Sequence, residues 1–258
     1  MERSGARVPW AAVPTAVITD IHANLTALEA VLAEIDERGI DRIWCLGDVV
    51  GYGAEPDACT AIVRERCELC LVGNHDLAVL GGLDVSSFSE AAAEAVEWTR
   101  ANVTEETLEF LRSLSPEAER EGVGLFHASP RDPVWEYVLS YEQAYANLTS
   151  QPQPVSLVGH SHVALFFAQA EGGGIGDTRG GQAGDGDTVE LSTGRWLVNP
   201  GSVGQPRDGD PRAAWLELDD EIQVATFRRV GYDIERAAGT IVSAGLPSRL
   251  ADRLGVGQ

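Results

Sequence analysis

The sequence predicts an α/β protein built on two sheets, and two observations support this prediction. From Thr15 to Val72, short β-branched segments alternate with segments of helical periodicity, which is typical of a parallel sheet with right-handed crossovers. From Val163 onward one strand-like segment follows another, which indicates a second, more antiparallel sheet. No linker or internal repeat divides the chain, so a single domain over residues 1–258 is expected.

The first strand is predicted at Thr15–Thr19, and the first helix between Asn24 and Gly39. The run Thr-Ala-Val-Ile-Thr is short and β-branched, as in a buried strand. Asn24 is a favourable N-cap residue, and glycine is favourable just beyond a helix end. Between these two residues, apolar side chains recur at helical spacing: Leu25, Leu28, Val31, Leu32 and Ile35.

The next segments continue the alternation of strand and helix. Ile43–Leu46 is the second predicted strand, Pro56 opens the second helix at a position that tolerates proline, and Leu69–Val72 is the third strand. Ser89–Leu114 is predicted as a helical hairpin with core contacts at Trp98, Leu108 and Leu111.

The rest of the chain shows the same two periodicities. Gly122–Phe126 and Val155–Val158 are predicted strands, and Tyr141–Leu148 is a predicted helix. The strands of the second sheet are expected at Val163–Ala170, Thr188–Leu191, Trp196–Val198, Ala213–Leu218 and Ile222–Arg229, ahead of a helix from Asp233 to about Ala244. Residues 1–13 are expected to form a flexible N-terminal extension, and the Gly-rich residues 171–187 a long mobile hairpin loop.

Composition limits the classes of partner. The formal charge is −21, and every basic residue is arginine, since the sequence contains no lysine. Such a chain is poorly suited to nucleic-acid backbones and to anionic membranes, because both attract clustered cations. No apolar stretch approaches the ~20 residues of a membrane-spanning helix. We therefore expect a cytoplasmic protein with no membrane partner, and nucleic acid is disfavoured as a ligand.

All five histidines lie in short motifs whose other members are mainly Asp, Asn and Gly. In chain order the motifs are Asp20-Ile-His22, Gly47-Asp48, Gly73-Asn74-His75-Asp76, His127-Ala-Ser-Pro130 and Gly159-His160-Ser-His162. Each follows a predicted strand, and open α/β sheets bind ligands beyond the carboxyl ends of their strands. We expect these side chains to converge at one edge of the sheet.

The donor atoms of these motifs suit divalent cations. Asp20 and His22 are two residues apart on an extended segment and can reach one ion, and His160 and His162 have the same spacing. The Asp48 carboxylate lies on a glycine-flanked turn and can bridge two cations, while Asn74 supplies a neutral oxygen. Nitrogen and oxygen donors without thiolate favour Mn, Fe, Zn, Co or Ni over Mg.

Together the motifs resemble those of the calcineurin-like metallophosphoesterases, in particular the small bacterial phosphodiesterase-type branch. The resemblance runs from about Thr15 to about Ala244 and includes the segment from Asn199 to Arg207. It implies a four-layer α/β/β/α sandwich of two mixed sheets flanked by helices. It also implies two divalent metal ions, with manganese the first choice in vitro. The first ion would bind Asp20, His22, Asp48 and His162, and the second Asp48, Asn74, His127 and His160.

The resemblance also implies a reaction. Two ions about 3.5–4 Å apart can clamp the attacking and leaving oxygens of an in-line displacement at phosphorus, and a water held between them becomes a hydroxide nucleophile. His75 would protonate the leaving group as general acid, and Asp76 would orient His75 and raise its basicity.

Each candidate has an ordinary structural explanation when it is considered alone. Asp20 can cap a helix, Asn74 and Asp76 can be turn residues, and His127 can be a satisfied core histidine. These explanations fail jointly, because seven unpaired polar side chains at one sheet edge make poor structural sense without a cation.

Three further residues are candidate substrate contacts. Arg131 and Arg207 can reach a substrate phosphate, and Tyr52 can line the pocket; surface arginines and simple packing are the alternatives. Phosphoprotein phosphatases of the superfamily carry G-D-x-x-D-R-G, whereas Gly51 and Tyr52 replace the second Asp and the Arg here. The expected substrate is therefore a small phosphodiester or nucleotide.

Three functions remain open at this point. The first is metal-dependent hydrolysis of a phosphodiester bond. The second is hydrolysis of a phosphomonoester or a nucleoside polyphosphate. The third is a scaffold protein that keeps the fold without catalysis, which is disfavoured because such proteins usually lose metal ligands or the acid.

Overall fold

The computed structural model describes residues 14–219 and 223–258. Within these ranges the chain forms two six-stranded mixed sheets flanked by helices, which confirms the expected fold class. Among the described residues, no helix combines the length and the apolar character that a membrane span requires.

The first sheet carries the amino-terminal strands. It contains β1 (Thr15–Ile18), β2 (Arg42–Cys45), β3 (Leu69–Cys70), β9 (Thr188–Glu190), β11 (Ala213–Asp219) and β12 (Val224–Val230). Their order is β3-β2-β1-β11-β12-β9, and β1, β2 and β3 run parallel as predicted.

The second sheet is built from the middle of the chain. It contains β4 (Glu117–Arg120), β5 (Val123–Phe126), β6 (Val155–Leu157), β7 (Leu165–Gln169), β8 (Arg179–Gln182) and β10 (Arg195–Asn199). Their order is β4-β5-β6-β10-β7-β8.

The helices connect these strands. They are α1 (Leu25–Glu37), α2 (Pro56–Arg66), α3 (Asn74–Val79), α4 (Glu90–Asn102), α5 (Glu105–Arg112), α6 (Tyr141–Ser150), α7 (Ile234–Ser243) and α8 (Ser248–Asp252). Asn24 caps α1 as predicted, since its side chain accepts a hydrogen bond from the Ala27 amide at 3.1 Å.

Three apolar layers hold the elements together. Between the sheets, side chains such as Val17, Leu125 and Leu216 are fully buried. A second cluster packs α1 against the outer face of the first sheet, with Leu28 and Trp215 at 0% exposure. A third packs α6 against the second sheet through Leu148. Apolar burial on this scale dominates the stabilisation of a domain.

The assignment of the later strands to one second sheet is wrong. β9, β11 and β12 belong to the first sheet, where β11 pairs antiparallel with β1 through Thr15 and Leu218. Only β7, β8 and β10 join the second sheet. An apolar strand buried on both faces carries no pattern that distinguishes one neighbouring sheet from another.

The predicted loop at residues 171–187 is also corrected, because it contains a 3₁₀ turn and strand β8. β8 pairs antiparallel with β7, and a Cβ atom on Gly180 would lie 2.0 Å from the carbonyl oxygen of Phe166. Glycine is required here by the close approach of two strands. The predicted N-terminal extension at residues 1–13 lies outside the described residues.

Candidate metal centre

The predicted convergence of the histidine motifs is present at the carboxyl ends of the strands. Asp20 follows β1, Asp48 follows β2, and Asn74 begins α3 just after β3. In the second sheet, His127 directly follows β5, and the pair His160 and His162 follows β6. The two sheets therefore contribute side chains to one buried site.

The backbone of this site is unusual. Non-glycine residues rarely adopt the left-handed conformation, and such residues are concentrated at functional sites. Five of the candidate ligands have positive φ angles: Asp20 (53°), His22 (50°), Asp48 (53°), His160 (63°) and His162 (59°).

Asp20, His22, Asp48 and His162 form the first cluster, in which one ligand atom of each lies within 4.8 Å of the others. Asp20 Oδ1 lies 3.4 Å from His162 Nε2, and Asp48 Oδ2 lies 3.5 Å from His22 Nε2. All four side chains are buried. Asp20 Oδ1 and Asp48 Oδ2 accept no hydrogen bond from any described residue.

Asp48, His127 and His160 form the second cluster, again within 4.8 Å. Asp48 Oδ2 lies 3.6 Å from His127 Nε2, and Asn74 Oδ1 lies 3.1 Å from the same nitrogen. Asp48 belongs to both clusters, which is the position that a bridging carboxylate requires.

Backbone carbonyl groups orient the imidazole rings. In each ring, one nitrogen lies within hydrogen-bond distance of a carbonyl oxygen and donates to it: His22 to Val50, His127 to Leu46, His160 to Trp135 and His162 to Gln205. Such contacts fix the tautomer and the orientation of a metal-binding histidine.

The contact between His22 and His162 fits a shared cation. Their Nε2 atoms are 3.1 Å apart, and both Nδ1 atoms carry the proton because they donate to carbonyls. Burial lowers the pKa of both rings well below the ordinary value, which favours neutral imidazole. Two lone pairs therefore face each other, and a divalent ion bound by both rings removes this repulsion.

The carboxylates lead to the same conclusion. Burial raises the pKa of Asp20 to about 7, and burial together with the charge of Asp76 raises the pKa of Asp48 well above its ordinary value. Charged groups in such places are normally paired or bound to metal. The unpartnered oxygens and the neutral imidazoles thus fit one or two divalent cations.

His75 lies beside these clusters, in a different environment from the one expected. Asp76 was expected to orient it, but the Asp76 carboxylate accepts hydrogen bonds from the amides of Val50 at 3.0 Å and Gly73 at 2.9 Å. His75 Nδ1 is buried and has no partner in the described part of the chain. It faces Gly51, on which a Cβ atom would lie only 2.7 Å from this nitrogen.

The three candidate substrate contacts divide into two groups. Arg207 donates to the Tyr52 hydroxyl at 3.3 Å, and Tyr52 packs on His22 with ring centroids 4.6 Å apart. Arg207 Nε is buried without a hydrogen-bond partner among the described residues. Arg131 is exposed, and its guanidinium pairs with Glu136 at 3.3 Å.

Sequence reasoning missed several residues at the site. Trp135 holds His160 through its carbonyl oxygen, and Tyr137 stacks on the His160 ring at 4.1 Å. None of these residues lies in a recognisable motif; only the aromatic content of residues 135–137 was a visible signal.

The buried Asp/His clusters could hold divalent metal ions, and they lie at the strand ends of a fold built from two mixed sheets. Residues 14–221 match the model of the calcineurin-like phosphoesterase superfamily domain, so the chain belongs to this superfamily. The superfamily resemblance is confirmed, while the phosphodiesterase-type branch stays a prediction.

Individual relatives span nearly the whole chain. It is 40% identical over 248 residues to the uncharacterized protein MJ0912 of Methanocaldococcus jannaschii, covering 94% of this chain and 98% of the relative. The structure is similar to a metallophosphoesterase from Sphaerobacter thermophilus, with 39% identity, a TM-score of 0.86, and coverage of 96% and 100%. The hypothetical protein PH1004 from Pyrococcus horikoshii OT3 shares the fold, with 19% identity, a TM-score of 0.74, and coverage of 95% and 99%.

Proposed function

We propose that the protein is a dinuclear metal-dependent phosphodiesterase acting on a small phosphoester or nucleotide. The observation that carries this proposal is the position of Asp48 Oδ2, which lies 3.5 Å from His22 Nε2 and 3.6 Å from His127 Nε2 and accepts no hydrogen bond from the described residues. When bound, two divalent ions supply Lewis acidity and lower the pKa of a coordinated water.

The residues proposed to hold the ions are those of the two clusters. Asp20, His22, Asp48 and His162 would bind one ion, and Asp48, Asn74, His127 and His160 the other. The role of Asn74 as a ligand is supported by the position of its amide oxygen, which lies 3.1 Å from His127 Nε2. The donor set contains four imidazoles and no thiolate, which favours manganese or a similar transition metal over magnesium.

Arg207 is proposed to bind the phosphoryl group. Its buried, unpartnered Nε is a donor that an anion can satisfy, and no described carboxylate forms an ion pair with it. The hydroxyl of Tyr52 and the side chain of Gln205 hold the other end of the guanidinium, at 3.3 Å and 2.9 Å. A positioned guanidinium suits phosphate recognition.

His75 is proposed to donate the proton to the leaving oxygen. Burial and then the charge of Arg207 lower its pKa, which favours the neutral ring in the absence of substrate. A bound phosphoester brings negative charge close to the ring and raises the pKa again. The rings of Tyr52 and Phe88 lie with their centroids 4.3 Å and 4.9 Å from that of His75 and would hold the imidazole in position. These rings carry no charge that would keep the imidazole protonated.

The test compares a diester with a monoester. The Mn²⁺-loaded protein is expected to turn over bis-p-nitrophenyl phosphate with a higher kcat/KM than p-nitrophenyl phosphate. A preference for the monoester would contradict the diesterase assignment and favour the monoesterase alternative. If neither compound is turned over, and a panel of nucleotides is not hydrolysed either, the enzyme hypothesis is wrong and the scaffold alternative stands.

A further inference from the structure

Aromatic side chains surround one side of the candidate metal centre. We call Tyr52, Phe88, Trp135 and Tyr137 the aromatic rim. Phe88 meets Trp135 edge to face, with centroids 5.2 Å apart, and it meets His75 in the same way at 4.9 Å. The rim therefore forms a continuous series of rings beginning beside the proposed acid.

The series continues to the other end of the site. Trp135 contacts the His160 ring edge to face at 6.4 Å, and Tyr137 stacks on His160 with centroids 4.1 Å apart and an angle of 23° between the planes. His160 is a proposed ligand of the second ion. A planar group held by the rim would thus lie close to both proposed catalytic elements.

Tyr137 is the member of the rim with an open surface. One face of its ring covers His160, yet the residue is 41% exposed. Orientation of His160 does not depend on this ring alone, because the Trp135 carbonyl accepts a hydrogen bond from His160 Nε2 at 3.2 Å. A large exposed aromatic ring beside a buried site is a surface on which a planar ligand can stack.

Positive charge lies next to the aromatic rim. Arg207 donates to the Tyr52 hydroxyl, and its guanidinium also lies 5.6 Å from the centre of the Tyr52 ring. Arg207 therefore places a positive charge beside the aromatic rim in a chain whose formal charge is −21.

We propose that the aromatic rim binds a nucleobase, which stacks on the outer face of Tyr137 while the phosphate of the same nucleotide meets Arg207. A base is planar and aromatic, and a nucleotide joins it to a phosphate through one sugar. In the structure, the series of rings through His75, Phe88 and His160 runs from Tyr52, which contacts Arg207, to the open ring of Tyr137. The inference deepens the proposed function. Its statement about substrate turnover rests on that function, whereas its statement about ligand binding does not. It assigns nucleotide esters as the substrate class.

The test measures binding apart from catalysis. Adenosine 5′-monophosphate and ribose 5-phosphate carry the same phosphate and sugar, and only the first has a base. Isothermal titration of the Mn²⁺-loaded protein is expected to show about fivefold or more tighter binding of adenosine 5′-monophosphate, since base stacking on an aromatic ring typically contributes this much or more.

Three variants identify the ring that is responsible. Tyr137→Leu should reduce the preference for the base to less than about twofold, whereas Tyr137→Phe should keep it because the ring remains. Tyr141→Leu is the matched control, since Tyr141 is 49% exposed but contacts Phe167 and Gly180 outside the rim. It should behave as the unaltered protein.

Two results would overturn the inference. One is equal affinity of the unaltered protein for the two ligands. The other is a preference for the base that survives in Tyr137→Leu. This includes the case in which the affinities for both ligands fall by the same factor because His160 has lost a supporting ring. Binding that prefers the base without turnover of diesters would refute the proposed function alone, and turnover without preference for a base would refute this inference alone.

Discussion

The two oxygens of the Asp48 carboxylate have different environments. Oδ1 accepts a hydrogen bond from the His75 amide at 2.8 Å and thereby joins the turn after β2 to the start of α3. Oδ2 faces His22 and His127 and accepts nothing from the described residues. One oxygen therefore maintains the local structure, while the other is available to cations.

Replacing this carboxylate tests the bridging role. Asp48→Asn keeps an oxygen for the His75 amide but removes the negative charge, so Mn²⁺ affinity is expected to fall by about 10-fold or more, with a comparable or larger loss of kcat. Asp41→Asn removes one charge at an exposed position and serves as the control. Metal titration and steady-state kinetics provide the measurement; a variant with normal affinity and kcat would refute the role.

The two arginine candidates give a matched pair. Arg207→Gln should raise the KM for an anionic phosphoester by about 10-fold or more, because a hydrogen bond from a charged donor is lost at a buried position. Arg131→Gln removes the same charge from an exposed ion pair with Glu136 and should change KM by less than about twofold. Equal effects in both variants would show that net charge, not contact, determines substrate affinity.

Residue types predicted the chemistry better than they predicted the contacts. The motifs and strand positions predicted that seven polar side chains converge, because ligands bind beyond the carboxyl ends of parallel strands, and the structure brings these side chains together. The partner of Asp76 could not be predicted, since its carboxylate binds backbone amides that only the fold brings near.

At the scale of elements, the site depends on loops that strands hold in place. The segment Arg207–Asp210 follows β10 and is tied to β12 by an ion pair between Asp208 and Arg229, whose side chains are 5% and 4% exposed. Asp208 also accepts a hydrogen bond from the Ala164 amide at 3.0 Å. This pair anchors the residue that follows Arg207 in the chain.

Breaking the buried pair should be costly. Arg229→Met leaves the Asp208 carboxylate buried and unpaired, and about 3–5 kcal/mol of unfolding free energy is expected to be lost. Arg249→Met removes an arginine whose partners Glu90 and Glu94 are exposed, and it should cost less than about 1 kcal/mol. Urea denaturation measures both values. Similar losses in the two variants would contradict the proposed anchoring.

Periodicity predicted elements well where local pattern determines them. The alternation through β1, α1, β2, α2 and β3 is local, and the structure follows it. The pairing of β11 with β1 joins residues about two hundred positions apart, and nothing in either segment specifies the partner. Strand β8 was missed because its two glycines have the composition of a loop, although Gly180 is needed for the close approach to β7.

At the scale of the whole molecule, the site joins the two sheets. Asp20 and Asp48 come from the first sheet, and His127, His160 and His162 from the second. The His160 amide donates to Asp20 Oδ2 at 3.0 Å, which is a direct link between them. An ion bound by side chains from both sheets therefore stabilises the arrangement of the whole domain.

Metal removal should accordingly lower the thermal stability. Saturating Mn²⁺, at about 100 times its Kd, is expected to stabilise the folded protein by about 2.7 kcal/mol per site. The rise in Tm is measured by calorimetry with and without chelator. Asp48→Asn should lose most of this increase, while Asp41→Asn should keep it. A Tm that does not respond to Mn²⁺ would contradict binding between the sheets.

The central claim is that two ions share Asp48, and anomalous diffraction from crystals grown with Mn²⁺ tests it most directly. Two peaks are expected on opposite sides of Asp48 Oδ2, about 3.5–4 Å apart. One should lie among Asp20, His22 and His162, and the other among Asn74, His127 and His160. A single peak, or peaks that do not contact Asp48, would contradict the account.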